Sequence, residues 1–104
     1  MNKDFHTHGF EKLEVWKLAR QIRFEIYQIT ALFPSDEKYG LTNQIRRSAN
    51  SISDNIAEGS GRATSNDKAY FINISFGSCL EVINQLITAF DLGFIEEPQY
   101  IQFR

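Results

Sequence analysis

Apolar residues recur at spacings of three and four in the first long segment of the chain, from Glu11 to Phe33. Such spacing puts them on one side of an α-helix and predicts a helix that packs one face against a core. Pro34 disfavours helical geometry in the residue before it, so the predicted helix ends at Phe33. The seam of this helix consists of Val15, Leu18, Ile22, Ile26, Ile29 and Phe33.

A second apolar stripe, Trp16, Phe24, Tyr27 and Ala31, runs beside that seam. Two interpretations are open. The stripe widens the core-facing arc of a central helix, or it faces a neighbouring subunit, because a short chain has few other places to bury a tryptophan. Under the second interpretation, Trp16, Phe24 and Tyr27 belong to an oligomer interface.

A second helix is predicted from Tyr39 to Glu58, where Gly59 and Gly61 stop it. Ser35 or Asp36 is the expected residue that caps its beginning. The apolar face of this helix consists of Leu41, Ile45, Ala49, Ile52 and Ile56.

A third helix is predicted from Lys68 to Leu92, with residues 65–67 capping its start and Gly93 closing its end. Glu96, Glu97 and Pro98 suit the first turn of a fourth helix, which has few residues before Arg104. The seam of the third helix consists of Ile72, Phe76, Cys79, Ile83, Leu86 and Phe90.

These segments predict an all-α fold, an up-and-down four-helix bundle whose fourth helix is short or truncated in this chain. Residues 1–10 form a flexible N-terminal lead-in, and residues 11–104 form the single domain. The N-terminus lacks the apolar stretch of a signal peptide, and no apolar run is long enough to span a membrane. With one cysteine and no possible internal disulfide, the sequence favours a cytoplasmic protein.

Polar residues beside the apolar faces of the second and third helices have two interpretations. Asn55, Glu58, Ser78 and Glu81 form either an internal network that fixes helix register or a catalytic site built on the two glutamates. We favour the network, because no nearby residues complete a chemistry. Arg46 or Arg47 is then the expected partner of a buried glutamate, since an unpaired buried charge is costly.

The sequence therefore predicts no enzyme and no catalytic, cofactor or metal site. A di-iron bundle needs a histidine three residues after a glutamate, and neither Glu58 nor Glu81 is followed by one. His6 and His8 lie in the lead-in, and Cys79 suits a small core residue rather than a nucleophile. No small-molecule substrate is expected.

The formal net charge of −2 argues against a protein that coats nucleic acid by bulk charge alone. The charge is unevenly distributed: nine Lys or Arg and seven Asp or Glu lie between Lys12 and Lys68, whereas one Lys or Arg and four Asp or Glu lie between Ala69 and Arg104. In a monomer these residues suit a solvated surface, whereas a symmetric ring would repeat them and strengthen their field. The candidate nucleic-acid-binding residues are Lys17, Arg20, Arg23, Arg46, Arg47 and Arg62.

An ordered set of motifs carries a family resemblance over about residues 10–95. The stretch from Tyr39 to Arg62, YGLTNQIRRSANSISDNIAEGSGR, resembles the signature of four-helix-bundle proteins encoded in intervening sequences of bacterial 23S rRNA genes. The segments FEKLEVW at 10–16 and LGFI at 92–95 follow the same pattern. The remaining matches are Phe33-Pro34, Phe71, Gly77-Ser78 and Glu81.

The resemblance implies an up-and-down bundle, a homopentameric ring and no enzymatic activity. It also implies kinship with the accessory protein of diversity-generating retroelements, which associates with nucleic acid and reverse transcriptase. We therefore expect an oligomeric module that binds structured RNA or a ribonucleoprotein partner. The alternative is a protein–protein assembly scaffold without nucleic-acid affinity, which the second stripe on the first helix and the acidic C-terminal half would suit.

Overall fold

A computed structural model describes residues 9–96 of the 104-residue chain. Within that range the chain forms three α-helices, α1 (Glu14–Thr30), α2 (Leu41–Ser60) and α3 (Ser65–Asp91), and no strand. Two short 3₁₀ helices, Gly9–Lys12 and Ser35–Glu37, precede α1 and α2. The prediction of an all-α fold is confirmed. The predicted fourth helix lies outside the described residues, as do residues 1–8 of the lead-in.

Consecutive helices run antiparallel. Residue numbers rise along α1 as they fall along α2 in the hydrogen-bonded pairs Arg23–Ser53, Tyr27–Asn50 and Thr30–Arg46. The pairs Ser48–Glu81 and Ser51–Ser78 reverse in the same way between α2 and α3. The up-and-down order therefore holds for the three described helices.

Helix α2 is central, because it packs against both other helices while no Cα atom of α1 lies within 8 Å of one in α3. The whole predicted apolar face of α2 is buried, from Leu41 to Ile56. Its Ile45 is fully buried together with Ile26 of α1 and Leu86 of α3. One continuous core therefore joins all three helices.

The predicted seam of α1 is wrong near its beginning. Val15 and Leu18 expose 50% and 63% of their surface, whereas Ala19 is buried. Farther along, Ile26, Ile29 and Phe33 are buried as predicted. A spacing of three and four identifies an apolar arc but not how wide the contact is. Since α2 is the one α-helix that packs on α1 among the described residues, the side that carries Leu18 stays largely exposed.

The predicted seam of α3 is displaced around the helix. Ile72, Phe76 and Phe90 are exposed, whereas Leu86 is buried as predicted. The other buried residues of α3 are Ser75, Ser78, Val82 and Ala89. Ser75 is buried because its hydroxyl donates to the carbonyl of Ile52 at 3.0 Å. Small side chains with an internal hydrogen-bond partner can thus occupy a close helix contact that hydrophobicity alone assigns to larger residues.

The starts of α2 and α3 use different residues from those predicted, whereas Gly61 and Gly93 follow the ends of these helices as predicted. Thr64 caps α3, since its Oγ1 accepts from the backbone N of Asp67 at 3.1 Å. The start of α2 is held by Glu37, whose Oε2 accepts from the backbone N of Leu41 at 3.1 Å. None of the described helices combines the length and the apolar content that a membrane-crossing helix needs.

Candidate nucleic-acid interface

Arg46 joins α2 to the end of α1. Its Nε donates to Oγ1 of Thr30 at 2.7 Å, and its Nη2 donates to the carbonyl of Tyr27 at 3.4 Å. The guanidinium carbon lies 4.6 Å from the centre of the Tyr27 ring, within the range of a cation–π interaction. Arg46 therefore contacts Tyr27 through its guanidinium and donates two hydrogen bonds within the chain.

Two further side chains of α2 hold the facing side of α1. Nδ2 of Asn50 donates to the hydroxyl of Tyr27 at 2.9 Å, and Nη1 of Arg23 donates to the hydroxyl of Ser53 at 3.3 Å. Arg23 has five N–H donors, so this bond leaves others for an external acceptor. The positions of Tyr27 and Arg23 are thus set by α2 rather than by α1 alone.

A recess of about 560 Å³ lies between the two helices and is lined by Arg20, Arg23, Phe24, Tyr27 and Asn50. A shallower one of about 330 Å³ adjoins it through Arg20 and Phe24 and reaches Lys17. Phe24 exposes 62% of its surface here. We give the name α1–α2 surface to seven of the residues that line either recess or hold its wall: Lys17, Arg20, Arg23, Phe24, Tyr27, Arg46 and Asn50.

The electrostatic character of this surface comes from α1. Lys17, Arg20 and Arg23 lie at spacings of three, which puts them along one side of the helix. Lys17 forms an ion pair with Glu14 at 3.3 Å, but both side chains are largely exposed and such pairs are weak. The guanidinium of Arg20 lies 5.7 Å from the ring of Trp16.

The other two predicted basic residues lie elsewhere. Arg62 pairs with Glu58 and stacks 4.6 Å over the ring of Phe71, at the junction of α2 and α3. Arg47 is exposed on α2 and has no hydrogen bond or ion pair within residues 9–96. The six candidates therefore do not form one patch. Lys17, Arg20 and Arg23 lie together on α1, and Arg46 lies beside Tyr27 and Thr30 at the end of that helix.

The predicted oligomer-interface residues divide in a similar way. Trp16 is half-buried, packs against the core and meets the ring of Phe10 edge-on at 5.2 Å. Phe24 and Tyr27 are exposed and line the larger recess.

A hydrogen-bonded group between α2 and α3 centres on Ser51. Ser78 donates to the Ser51 hydroxyl at 2.8 Å, and Nδ2 of Asn55 donates to the Ser51 carbonyl and hydroxyl at 2.8 and 2.9 Å. Asn55 and Ser78 are thus connected, as the register interpretation expects. Sequence reasoning did not single out Ser51, although it lies four residues before Asn55.

The two glutamates do not share this group. Oε2 of Glu81 accepts from the Ser48 hydroxyl at 3.1 Å, whereas Glu58 pairs with Arg62. The prediction that Arg46 or Arg47 pairs with them is wrong, because Glu81 is exposed enough to need no cation. Ser48 and Glu58 are ten residues apart, about 15 Å along α2, so the glutamates do not form a carboxylate pair.

The described residues offer little further reactive chemistry. Burial raises the pKa of the Cys79 thiol, which disfavours the nucleophilic thiolate. Within residues 9–96, no group of three His, Cys, Asp or Glu side chains is arranged to hold a metal ion.

Sequence reasoning missed Asn50 and Ser53, the α2 residues that hold the α1–α2 surface. A signal was present, because Arg46, Asn50 and Ser53 follow one another at spacings of four and three. That spacing places all three on one flank of α2. It indicates a polar contact with a neighbouring helix when the adjacent face is apolar.

The fold and its polar contacts define a small antiparallel helical domain whose central helix is hydrogen-bonded to both neighbours. The chain belongs to the family of 23S rRNA-intervening sequence proteins, whose family model matches residues 11–104. The resemblance found in the motifs is thereby confirmed at the level of the family, and kinship with retroelement accessory proteins stays a prediction. Among curated proteins, none matches the chain.

Proposed function

We propose that this protein is a non-enzymatic, cytoplasmic RNA-binding module that acts as an oligomer, with structured RNA or a ribonucleoprotein particle as its partner. The observation that supports this most is the α1–α2 surface. It combines basic side chains with exposed aromatic rings around a recess, a combination that proteins use to bind RNA phosphates and bases.

The net negative charge of the chain does not prevent the α1–α2 surface from attracting RNA phosphates at short range. Surface charges act over about 10 Å at moderate salt, so the nearby Arg20 and Arg23 matter more than distant acidic residues. Helix α1 itself contains three basic residues and two acidic ones, Glu14 and Glu25. Repetition of this surface around a ring would multiply a modest local charge.

Assembly is supported by apolar side chains that are exposed within residues 9–96. Ile72, Phe76 and Leu80 are exposed along α3, and Val15 and Leu18 are exposed on α1. Apolar groups gathered on a surface mark interaction sites. We propose a homopentameric ring, and a short fourth helix from about Glu96 that completes the bundle of each subunit.

Binding is tested with a labelled structured RNA and the purified full chain, titrated at several salt concentrations. We compare the double variant Lys17→Glu, Arg20→Glu, whose two positions are exposed on the α1–α2 surface, with the double variant Lys38→Glu, Lys68→Glu, which changes the net charge equally but lies outside that surface. Arg46 is left intact because it joins two helices. Only the first variant is expected to weaken binding. Each phosphate contact that it removes should lower the salt slope by about 0.7, the value for a single strand, to about 0.9, the value for a B-form duplex.

Two results would overturn the RNA-binding proposal. One is the lack of any salt-dependent binding by the pure oligomer, even at low salt. The other is equal weakening by both double variants, which would reduce the effect to total charge.

The alternative function, a protein assembly scaffold without nucleic-acid affinity, is favoured by the apolar residues of α3. Pull-down with and without nuclease separates the two, since a partner retained after nuclease treatment favours the scaffold. Light scattering tests the ring independently. We expect a multiple of the 12.0 kDa chain mass, reduced in a Phe76→Lys variant, whereas a stable wild-type monomer would remove the ring proposal.

A further inference from the structure

Phe24 is placed where core packing does not explain it. It lies in the middle of α1 and exposes 62% of its surface. Arg20 precedes it by four residues and Arg23 by one. A separation of four residues brings Arg20 and Phe24 next to each other on the helix. An exposed ring beside two guanidinium groups is suited to a ligand that has both a flat face and a negative charge.

The wall of the recess around Phe24 is fixed in advance. Tyr27 is held at its hydroxyl by Asn50, 2.9 Å away, and its ring is covered by the Arg46 guanidinium. Arg23 is held by Ser53 at 3.3 Å. A ligand that enters therefore pays little to order these side chains, which favours binding.

The size and chemistry of the recess suit one nucleotide. Its volume of about 560 Å³ falls within the range of about 300–1,000 Å³ typical of small-ligand sites. Arginine recognises phosphate through paired N–H donors. Aromatic side chains stack on bases, but only on bases that are not already stacked within a duplex.

We propose that the recess between α1 and α2 binds an unpaired nucleotide of RNA, with its base stacked on Phe24 and its phosphate held by Arg20 and Arg23. This inference rests on the proposed RNA-binding function and specifies which part of the RNA the surface contacts. It assigns recognition to loops, bulges or single strands rather than to the regular duplex. It also gives Phe24 a role distinct from subunit contact.

The test uses the full chain, a labelled single-stranded oligonucleotide of RNA and the duplex made from that strand and its complement. Affinity is measured by fluorescence anisotropy. We expect tighter binding of the single strand, and a loss of about fivefold to a hundredfold in its affinity for Phe24→Ala, the effect of removing one stacked base. Phe24→Tyr keeps an aromatic face and should restore most of the affinity.

The matched control is Tyr70→Ala. Tyr70 is as exposed as Phe24, at 61%, but lies on α3, so its removal should leave the affinity unchanged. Both changes are at exposed positions, and circular dichroism checks that each variant keeps its helices. Light scattering on the same samples reports whether the oligomer is unchanged.

The outcomes separate this inference from the proposed function. If the single strand and the duplex bound equally and Phe24→Ala had no effect, stacking of a base on Phe24 would be overturned. RNA binding through phosphates would remain in that case. Absence of RNA binding would overturn both. A change of oligomer mass in Phe24→Ala would assign Phe24 to a subunit interface and overturn the nucleotide site.

Discussion

Nε of Arg46 lies 2.7 Å from Oγ1 of Thr30, and this hydrogen bond joins the middle of the sequence to the end of α1. The same Thr30 hydroxyl donates to the carbonyl of Ile26 at 2.7 Å. Thr30 is buried, so its oxygen depends on Arg46 for a donor. Arg46 thus has mainly a structural role, although its charge and its position beside Tyr27 suggested a role in binding nucleic acid.

Replacing Arg46 with methionine is expected to lower the free energy of unfolding by about 1–3 kcal/mol, the cost of leaving a buried hydrogen-bonding group without its charged partner. Arg46→Lys should also lose stability, because one ammonium cannot reproduce the fork that reaches Thr30 and Tyr27 together. Urea denaturation followed by circular dichroism measures both effects.

The control for this prediction is Arg47→Met, at the next position of the same helix. Arg47 is exposed and makes no hydrogen bond or ion pair within the described part of the chain, so its loss should change stability by no more than about 0.5 kcal/mol. Equal destabilisation by the two variants would contradict the assignment of Arg46 as the link between helices.

Gly59 lies where α2 and α3 approach each other closely. A Cβ atom added there would lie 2.9 Å from Cβ of Phe71, closer than carbon atoms approach without a shift of the backbone. We expect Gly59→Ala to destabilise the protein by about 1–3 kcal/mol through overpacking. Thermal unfolding of the purified variant measures the loss.

Gly77 provides the matched comparison. It lies inside α3, and a Cβ atom added there would meet no atom within 4 Å among the described residues. Because glycine within a helix costs about 0.5–1 kcal/mol relative to alanine, Gly77→Ala should stabilise the single chain. Destabilisation by this variant would instead indicate that another segment or a second copy of the chain packs against that position.

The helices themselves could be predicted from the sequence, because apolar spacing and glycine stops are local signals. All of the predicted apolar face of α2 is buried, since a central helix has neighbours on both sides and uses its whole arc. The faces of α1 and α3 were harder to predict. Each packs on one helix among the described residues, so the pattern identified more apolar surface than the single chain covers.

The candidate site could be predicted only in part. Basic residues are visible in the sequence, but their internal partners are not, since Thr30 and Arg46 are distant along the chain. Arg62 was grouped with Arg20 by charge, yet it stacks on Phe71 at another end of the molecule. The reason is that surface charge carries no periodic signal that would assign each residue to a shared patch.

Gly93 closes α3 with a left-handed backbone, at φ +78°. In this geometry the backbone N of Phe94 donates to the carbonyl of Ala89 at 2.8 Å, and the Phe94 ring packs 5.5 Å from that of Phe33. Gly93→Ala should cost about 1–2 kcal/mol, because alanine is strained in this region. The change in unfolding free energy in urea checks this.

Gly61 is the appropriate control, since it ends α2 with a negative φ of −89° that any residue can adopt. Gly61→Ala should therefore be neutral or slightly stabilising. If both alanine variants lost the same stability, the left-handed conformation of Gly93 would not be the cause.

Cys79 gives a prediction about pH. Burial raises the pKa of its thiol, so at a mildly alkaline pH less thiolate forms in the folded protein than in the unfolded chain. Alkylation by iodoacetamide should be slower in the folded protein than in urea, and its rate should reach half-maximum at a higher pH. Because the folded state favours the protonated thiol, the stability it contributes is present below the unfolded pKa and is lost as pH rises through the folded pKa. Since Cys79 is the single cysteine, mass spectrometry follows the reaction directly, and equal rates in the folded and unfolded protein would contradict the burial of the thiol.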